Sequence, residues 1–200
     1  MTIKSLEFWF DFASTYSYLT AMRIEDVAAQ SGVSVDYKPF LLGPIFAAQG
    51  WTTSPFNLVP AKGRYMVRDI ERIAAARDLA FKLPTPFPQN GLMAARVAIV
   101  GRERGWDARF VREVFRVEFA ESRSISDPAV IEACLNVAFA PVAEALMLGG
   151  SDQVKTELRS NTEAAQSYGI FGAPMMRTRD GELFWGDDRL EQAVTWAQQL

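Results

Sequence analysis

The sequence predicts an α/β fold in which a β-α-β unit and a closing β-β-α unit flank an all-helical insertion. Three observations predict it. Two runs near the start alternate apolar and polar residues, with a helical stretch between them. No alternating run interrupts the helical spacing through the middle of the chain. Two short apolar runs then flank Asp180-Gly181 ahead of a last amphipathic stretch. The 200 residues suffice for one domain, or for one small domain carrying an insertion. The boundaries read as residues 1–59 and 169–200 for the α/β part and 60–168 for the helical insertion.

In the first run Leu6, Phe8 and Phe10 alternate with Glu7, Trp9 and Asp11; in the second Val33, Val35 and Tyr37 alternate with Ser34, Asp36 and Lys38. Both have the two-residue period of a strand. Ser14 to Gln30 reads as one helix ending before Gly32, so the two strands pair in parallel. Gly43, Pro44, Gly50, Pro55 and Pro60 mark residues 40–60 as a long loop with several aromatic side chains. Met66, Ile70, Ile73 and Ala74 keep helical spacing, as do Phe110, Val114 and Val117. Asp127-Pro128 is an N-cap followed by proline at the first helical position. Ser151 caps a helix carrying Val154 and Leu158 that stops at Gly169. Met175 to Thr178 and Leu183 to Trp185 form a hairpin about Asp180-Gly181. Leu190, Ala193, Val194 and Ala197 stripe a last helix, with Asp187 or Asp188 placed to cap it.

Composition removes several function classes. The 21 basic and 24 acidic residues are interspersed and give a net charge of −3, which offers nucleic acid no basic surface. No apolar run reaches the roughly 18 residues that span a bilayer, and acids stand near the start where a signal peptide would be apolar, so the cytoplasm is the expected address. The single cysteine, Cys134, lies in an apolar helical pattern without a partner, which excludes dithiol chemistry. There is no histidine, which removes His-based triads and most zinc sites; no metal site is expected. A catalyst of this composition must borrow its reactive group.

Four segments could carry chemistry. Ser14, in Phe10-Asp11-Phe12-Ala13-Ser14-Thr15-Tyr16-Ser17-Tyr18-Leu19, stands at a strand-to-helix junction, where free N–H groups hold an anion or where serine is simply an N-cap. Gly169-Ile170-Phe171-Gly172-Ala173-Pro174 enters a strand through proline. A cis bond there would leave the preceding backbone free to receive an extended peptide; the alternative is an ordinary turn or edge proline. Asp187 and Asp188, in Trp185-Gly186-Asp187-Asp188-Arg189-Leu190, read as a cap and a solvated charge, or as a pair of acids gripping an ammonium group. Lys62, in Pro60-Ala61-Lys62-Gly63-Arg64-Tyr65, is the fourth candidate and by itself reads as a solvated lysine at a helix start.

Taken together and in this order, Phe10-Asp11-Phe12-x-Ser14 with Ser17-Tyr18-Leu19, Pro60-x-Lys62-Gly63-x-Tyr65-Met66 with Asp69, Phe171-Gly172-x-Pro174, and Trp185-Gly186-x-Asp188-Arg189-Leu190 resemble the 2-hydroxychromene-2-carboxylate isomerases. These form a branch beside the kappa-class glutathione transferases within the thioredoxin-like superfamily. The resemblance runs from the first strand to the last helix. It implies a thioredoxin-like fold, glutathione as cofactor, a small aromatic carboxylate as substrate and a homodimer. Where redox relatives have Cys-x-x-Cys, this chain has Ser14-Thr15-Tyr16-Ser17, so the redox reading fails. The implied roles are these: Ser14 donates a hydrogen bond to the glutathione sulfur, Ala173 before a cis Pro174 pairs with the tripeptide backbone, Asp188 binds the γ-glutamyl ammonium, and Lys62 faces the glycyl carboxylate. Two positions depart from the pattern. Thr15 replaces a proline common after the family serine, and Thr53 stands where many relatives carry a glutathione-contacting Asn.

The implied reaction interconverts a cyclic hydroxychromene carboxylate and an open trans-benzylidenepyruvate, which requires rotation about a carbon-carbon double bond. A thiolate that adds to the conjugated alkene and later leaves supplies a transient single bond. A free thiol of pKa about 8.5 is only about 3% ionised at neutral pH, and lowering that value by two units takes roughly 2.7 kcal/mol. A helix terminus offers about 0.3 to 1 kcal/mol and a hydrogen bond to a charged acceptor about 1.5 to 3, so the Ser14 hydroxyl is expected to be the larger contribution. Phe12, Tyr16, Phe40, Phe46 and Trp51 are expected to supply the wall of an aromatic acceptor pocket, with at least half of them in the core, and an Arg or Lys nearby to hold the substrate carboxylate. Two other readings stand beside this one: a kappa-type transferase or peroxidase sharing the same site, and a thioredoxin-like binding module without catalysis or glutathione affinity.

Overall fold

The computed structural model describes residues 4–200. Strands β1 (Ser5–Phe10), β2 (Ser34–Pro39), β3 (Met175–Thr178) and β4 (Leu183–Trp185) form one sheet in the order β2-β1-β3-β4. β1 and β2 run parallel, as the helical crossover between them requires, while β3 is antiparallel to β1 and to β4. The register opposes Phe8 to Tyr37 and to Met176. β1 is therefore an interior strand, and its alternation serves two cores. Leu6, Phe8 and Phe10 join the main apolar cluster, while Trp9 packs on the opposite face with Phe40, Ile45 and Ile170.

Helices α1 (Thr15–Ala21) and α2 (Ile24–Gln30) replace the single helix expected between the first two strands. The break falls at Arg23, whose φ of −136° is not helical and whose side chain is drawn to Asp187 and Glu191. Residues 40–60, expected as a loop, contain α3 (Leu42–Ala48) and the short α4 (Pro55–Leu58). Pro44 and Pro55 fall in first turns, where the missing N–H has no helical acceptor to lose, so prolines that look like breakers are compatible with helix.

The helical block comprises α5 (Pro60–Ala76), α6 (Leu92–Arg104), α7 (Asp107–Phe119), α8 (Pro128–Val137), α9 (Val142–Gly149) and α10 (Asp152–Ser167). α6 is apolar nearly all round and is enclosed by its neighbours, with Gly101 pressed against the Trp106 ring. The caps read from the sequence at Asp127 and Ser151 are present: their side chains accept from the N–H groups of Ala129 at 2.9 Å and Val154 at 3.3 Å. Phe10 and Phe12 meet Phe115 of α7 at ring-centre distances of 5.9 and 4.9 Å, so one apolar core runs from the sheet into the helical block. The chain closes with the β3–β4 hairpin, a 3-10 turn (Asp187–Arg189) and α11 (Leu190–Gln199). Neither Asp187 nor Asp188 caps α11; the 3-10 turn intervenes, and no side-chain oxygen bonds the start of the helix.

Candidate active site

The site begins with the turn between β1 and α1. Asp11 shapes it: one carboxylate oxygen accepts from Ala13 N–H at 2.9 Å, the other from Leu42 N–H at 2.7 Å, and its carbonyl accepts from Ser14 N–H at 3.0 Å. Enclosure pushes the Asp11 carboxyl above its usual range, against the lowering effect of the two N–H donors. Ser14 is extended (φ −95°, ψ 113°) and caps α1 by accepting from Ser17 N–H at 3.2 Å. Its hydroxyl also donates to the Ala173 carbonyl at 3.0 Å, a contact across 159 positions of sequence. The N-cap and this long-range contact are therefore functions of the same atom. Ser17 is fully buried and its hydroxyl has no hydrogen-bond partner among the described residues.

The peptide Ala173–Pro174 is cis. Pro174 in turn accepts from Gly186 N–H at 3.0 Å, which fastens the hairpin end to the segment that meets Ser14. Gly186 has φ +105°, a region glycine tolerates, and a Cβ added there would stand 2.6 Å from Asp188 Oδ1. The Asp188 carboxylate thus folds back over Gly186. Contacts connect Ser14, Ala173, Pro174 and Asp188 in that order, through Gly186. Gly172 admits the Trp185 indole, whose Nε1 lies 2.8 Å from where a Cβ would be, and Trp185 meets Phe171 edge-on at 5.0 Å.

One face of α5 borders the same region. Thr15 Oγ1 donates to Met66 Sδ at 3.2 Å, Tyr16 Oη donates to Asp69 Oδ2 at 2.9 Å, and Arg77 Nη2 donates to Asp187 Oδ2 at 2.7 Å. Met66, Asp69 and Arg77 share a stripe, and Lys62 continues it one turn toward the helix start, exposed and without an ion pair among the described residues. Burial, then the Asp69 carboxylate, raises the Tyr16 phenol above its ordinary value. A groove of about 540 Å³ lined by Pro60, Gly63, Arg64, Met66 and Val67 runs along α5 and shares Met66 with that stripe.

The aromatic expectations divide. Phe12 and Phe40 are fully buried and belong to the core, because each lies on or beside a strand covered on both faces. Tyr16 is half-buried, and Trp51 is 38% exposed and packs on Phe46 at 5.8 Å beside a cavity of about 500 Å³ that Thr53 also lines. The Thr53 hydroxyl accepts from Asn57 Nδ2 at 3.0 Å. The two acids divide as well. Asp187 is buried, with Thr20 and Arg23 on one oxygen and Arg77 on the other, so it has no oxygen free for an ammonium group; Asp188 is the exposed acid. Its partners are 110 to 167 positions away, so no local pattern announced them.

The cis-proline segment thus has a hydroxyl donor at Ser14 against it and an exposed carboxylate at Asp188 near it, while an exposed lysine, Lys62, stands on the α5 stripe that carries the Thr15 and Tyr16 contacts.

Comparison with known proteins finds chains similar to this one. A family model described as DSBA-like thioredoxin domain matches residues 5–195. A 2-hydroxychromene-2-carboxylate isomerase of Sphingobium xenophagum is 28% identical over 189 residues, covering 94% of this chain and 95% of that one. Glutathione s-transferase kappa 2 of Caenorhabditis elegans is 26% identical, covering 96% and 90%. A solved structure of a 2-hydroxychromene-2-carboxylate isomerase superposes with a TM-score of 0.85 at 22% identity, covering 98% and 95%, and shows the same fold.

Proposed function

The chain belongs to the DsbA-like thioredoxin domain family, and from that premise we propose that it is a glutathione-dependent isomerase. Its substrate pair is 2-hydroxychromene-2-carboxylate and trans-o-hydroxybenzylidenepyruvate, or a related intermediate of aromatic degradation. The observation that carries the reading is the Ser14 hydroxyl held against the Ala173–Pro174 segment in a motif that contains no cysteine. Bound there, glutathione would supply the nucleophilic sulfur for reversible addition to a conjugated alkene. The chain's own residues bind and orient. Ser14 turns its O–H from the Ala173 carbonyl to the sulfur, Asp188 takes the γ-glutamyl ammonium, and Lys62 takes the glycyl carboxylate. Tyr16 and Trp51 border the acceptor. The assembly is a homodimer.

The test is a spectrum-resolved isomerase assay with and without glutathione, paired with calorimetry of glutathione binding. Saturable dependence on glutathione supports the reading. Heat of binding without isomerisation, together with conjugation of electrophiles or reduction of hydroperoxides, would favour the kappa-type transferase reading that the 26% identical relative supports. No heat at all would leave a binding module.

A further inference from the structure

The geometry points to Arg77 as a positioning residue for Asp188, acting through Asp187; the inference rests on the glutathione reading above. Asp187 is 3% exposed. Thr20 Oγ1 and Arg23 Nε donate to its Oδ1 at 3.2 and 3.1 Å, and Arg77 Nη2 donates to its Oδ2 at 2.7 Å. Arg23 Nη2 also donates to the Asp187 backbone carbonyl at 2.7 Å. That carbonyl belongs to the peptide joining Asp187 to Asp188, so side chain and peptide are both fixed. Beyond Asp188, Arg189 N–H donates to the Gly186 carbonyl at 3.1 Å, and Gly186 is itself fastened to Pro174. The turn is pinned on each side of Asp188. The Asp188 side chain is left 74% exposed, with one loose ion pair to Arg189 at 3.6 Å.

Charge makes the same point. Arg23 also pairs with Glu191, so two guanidiniums meet two carboxylates within the cluster, and neither guanidinium is drawn to Asp188, whose one ion pair is the loose contact with Arg189. An ammonium ligand finds an exposed carboxylate on a backbone turn that is already held. Arg77 links this turn to the helical insertion. It stands on the α5 stripe with Met66 and Asp69, which meet Thr15 and Tyr16 beside Ser14. Its single side-chain hydrogen bond among the described residues goes to Asp187, and its Nη1 is buried without a partner. A buried ion pair is poor grounds for extra stability, because desolvation offsets the attraction. Holding a binding group in place is a different benefit: it removes the ordering entropy otherwise lost on binding.

The test uses the full chain with Arg77→Met and Arg77→Lys, their folding checked by circular dichroism. Two thiols are compared: glutathione, and its analogue lacking the γ-glutamyl amino group. Arg77→Met is expected to raise KM for glutathione about five- to tenfold while kcat at saturation stays within about twofold, and to leave KM for the analogue at the wild-type value. Arg77→Lys should recover part of the loss. Equal rises with both thiols would mean general loosening and overturn the inference, as would no rise with either. If Arg77→Met does not fold, the same comparison in Arg77→Lys decides. Wild-type protein that shows no saturable dependence on glutathione would sink the glutathione reading itself, before any variant is made.

Discussion

At Ser14 one hydroxyl proton has two acceptors to choose between. The neutral bond to Ala173 that it now makes is worth about 0.5 to 1.5 kcal/mol net, and a bond to a thiolate about 1.5 to 3. The gain is the difference, about 1 to 1.5 kcal/mol, or roughly tenfold in thiol ionisation. Ser14→Ala is therefore expected to lower glutathione-dependent turnover about tenfold near neutral pH and less at alkaline pH, where the thiol ionises unaided; a loss independent of pH would count against this role. Glu118 poses the opposite case. Both of its carboxylate oxygens are buried on α7 without hydrogen-bond partners among the described residues, and burial, reinforced by the Asp11 charge, holds its pKa well above the usual carboxylate range. Such a group binds its proton more tightly folded than unfolded. Its contribution is present at pH below the unfolded value and is lost as pH rises toward the folded one. Glu118→Gln should stabilise the protein at about pH 8 and converge with wild type near pH 4 in urea melts. A constant difference between those pH values would show an ionised native carboxylate. Burial also pushes the Cys134 thiol up to about 12, consistent with a core side chain and no chemistry.

Elements were legible wherever a local rule decided them. Asp127-Pro128 and Ser151 start helices because their oxygens satisfy N–H groups within three residues, and Asp180-Gly181 turns a hairpin because glycine accepts the φ of +94° found there. Legibility failed where distant contacts overrode the pattern. The α1–α2 break at Arg23 depends on Asp187, 164 positions away. α3 begins where the Asp11 carboxylate accepts Leu42 N–H, which nothing in residues 40–60 reveals. Gly101 in α6 gives a test at this scale. Alanine normally favours a helix interior over glycine by about 1 kcal/mol, yet a Cβ here would lie 2.5 Å from the Trp106 ring. Gly101→Ala should destabilise, lowering the thermal midpoint. A raised midpoint would show that Trp106 can shift.

Across the whole molecule, the predicted boundary at residue 60 does not interrupt the apolar interior. Phe10 and Phe12 of the α/β part pack on Phe115, and Tyr18 of α1 packs on Phe119 at 5.5 Å. The Arg23, Arg77 and Asp187 cluster adds a polar connection between the same regions. Sheet and helical insertion are therefore expected to unfold together. Far-ultraviolet circular dichroism and tryptophan fluorescence should trace one guanidinium transition, whereas separated midpoints would reveal two units.

By itself the sequence determined the order of the four strands along the chain, the lack of histidine and of a cysteine pair, and the four segments that could form a site. Those depend on residue type and on spacing of a few positions, which fix local hydrogen bonding and the side-chain face. Tertiary structure decided which candidates meet. It set Ser14 against Ala173, folded Asp188 over Gly186, drew Asp187 away to two arginines and consigned Phe12 and Phe40 to the core. An acid or a ring has the same local signature in a pocket as in an interior. Only the residues that the fold brings to it from far along the chain decide between the two.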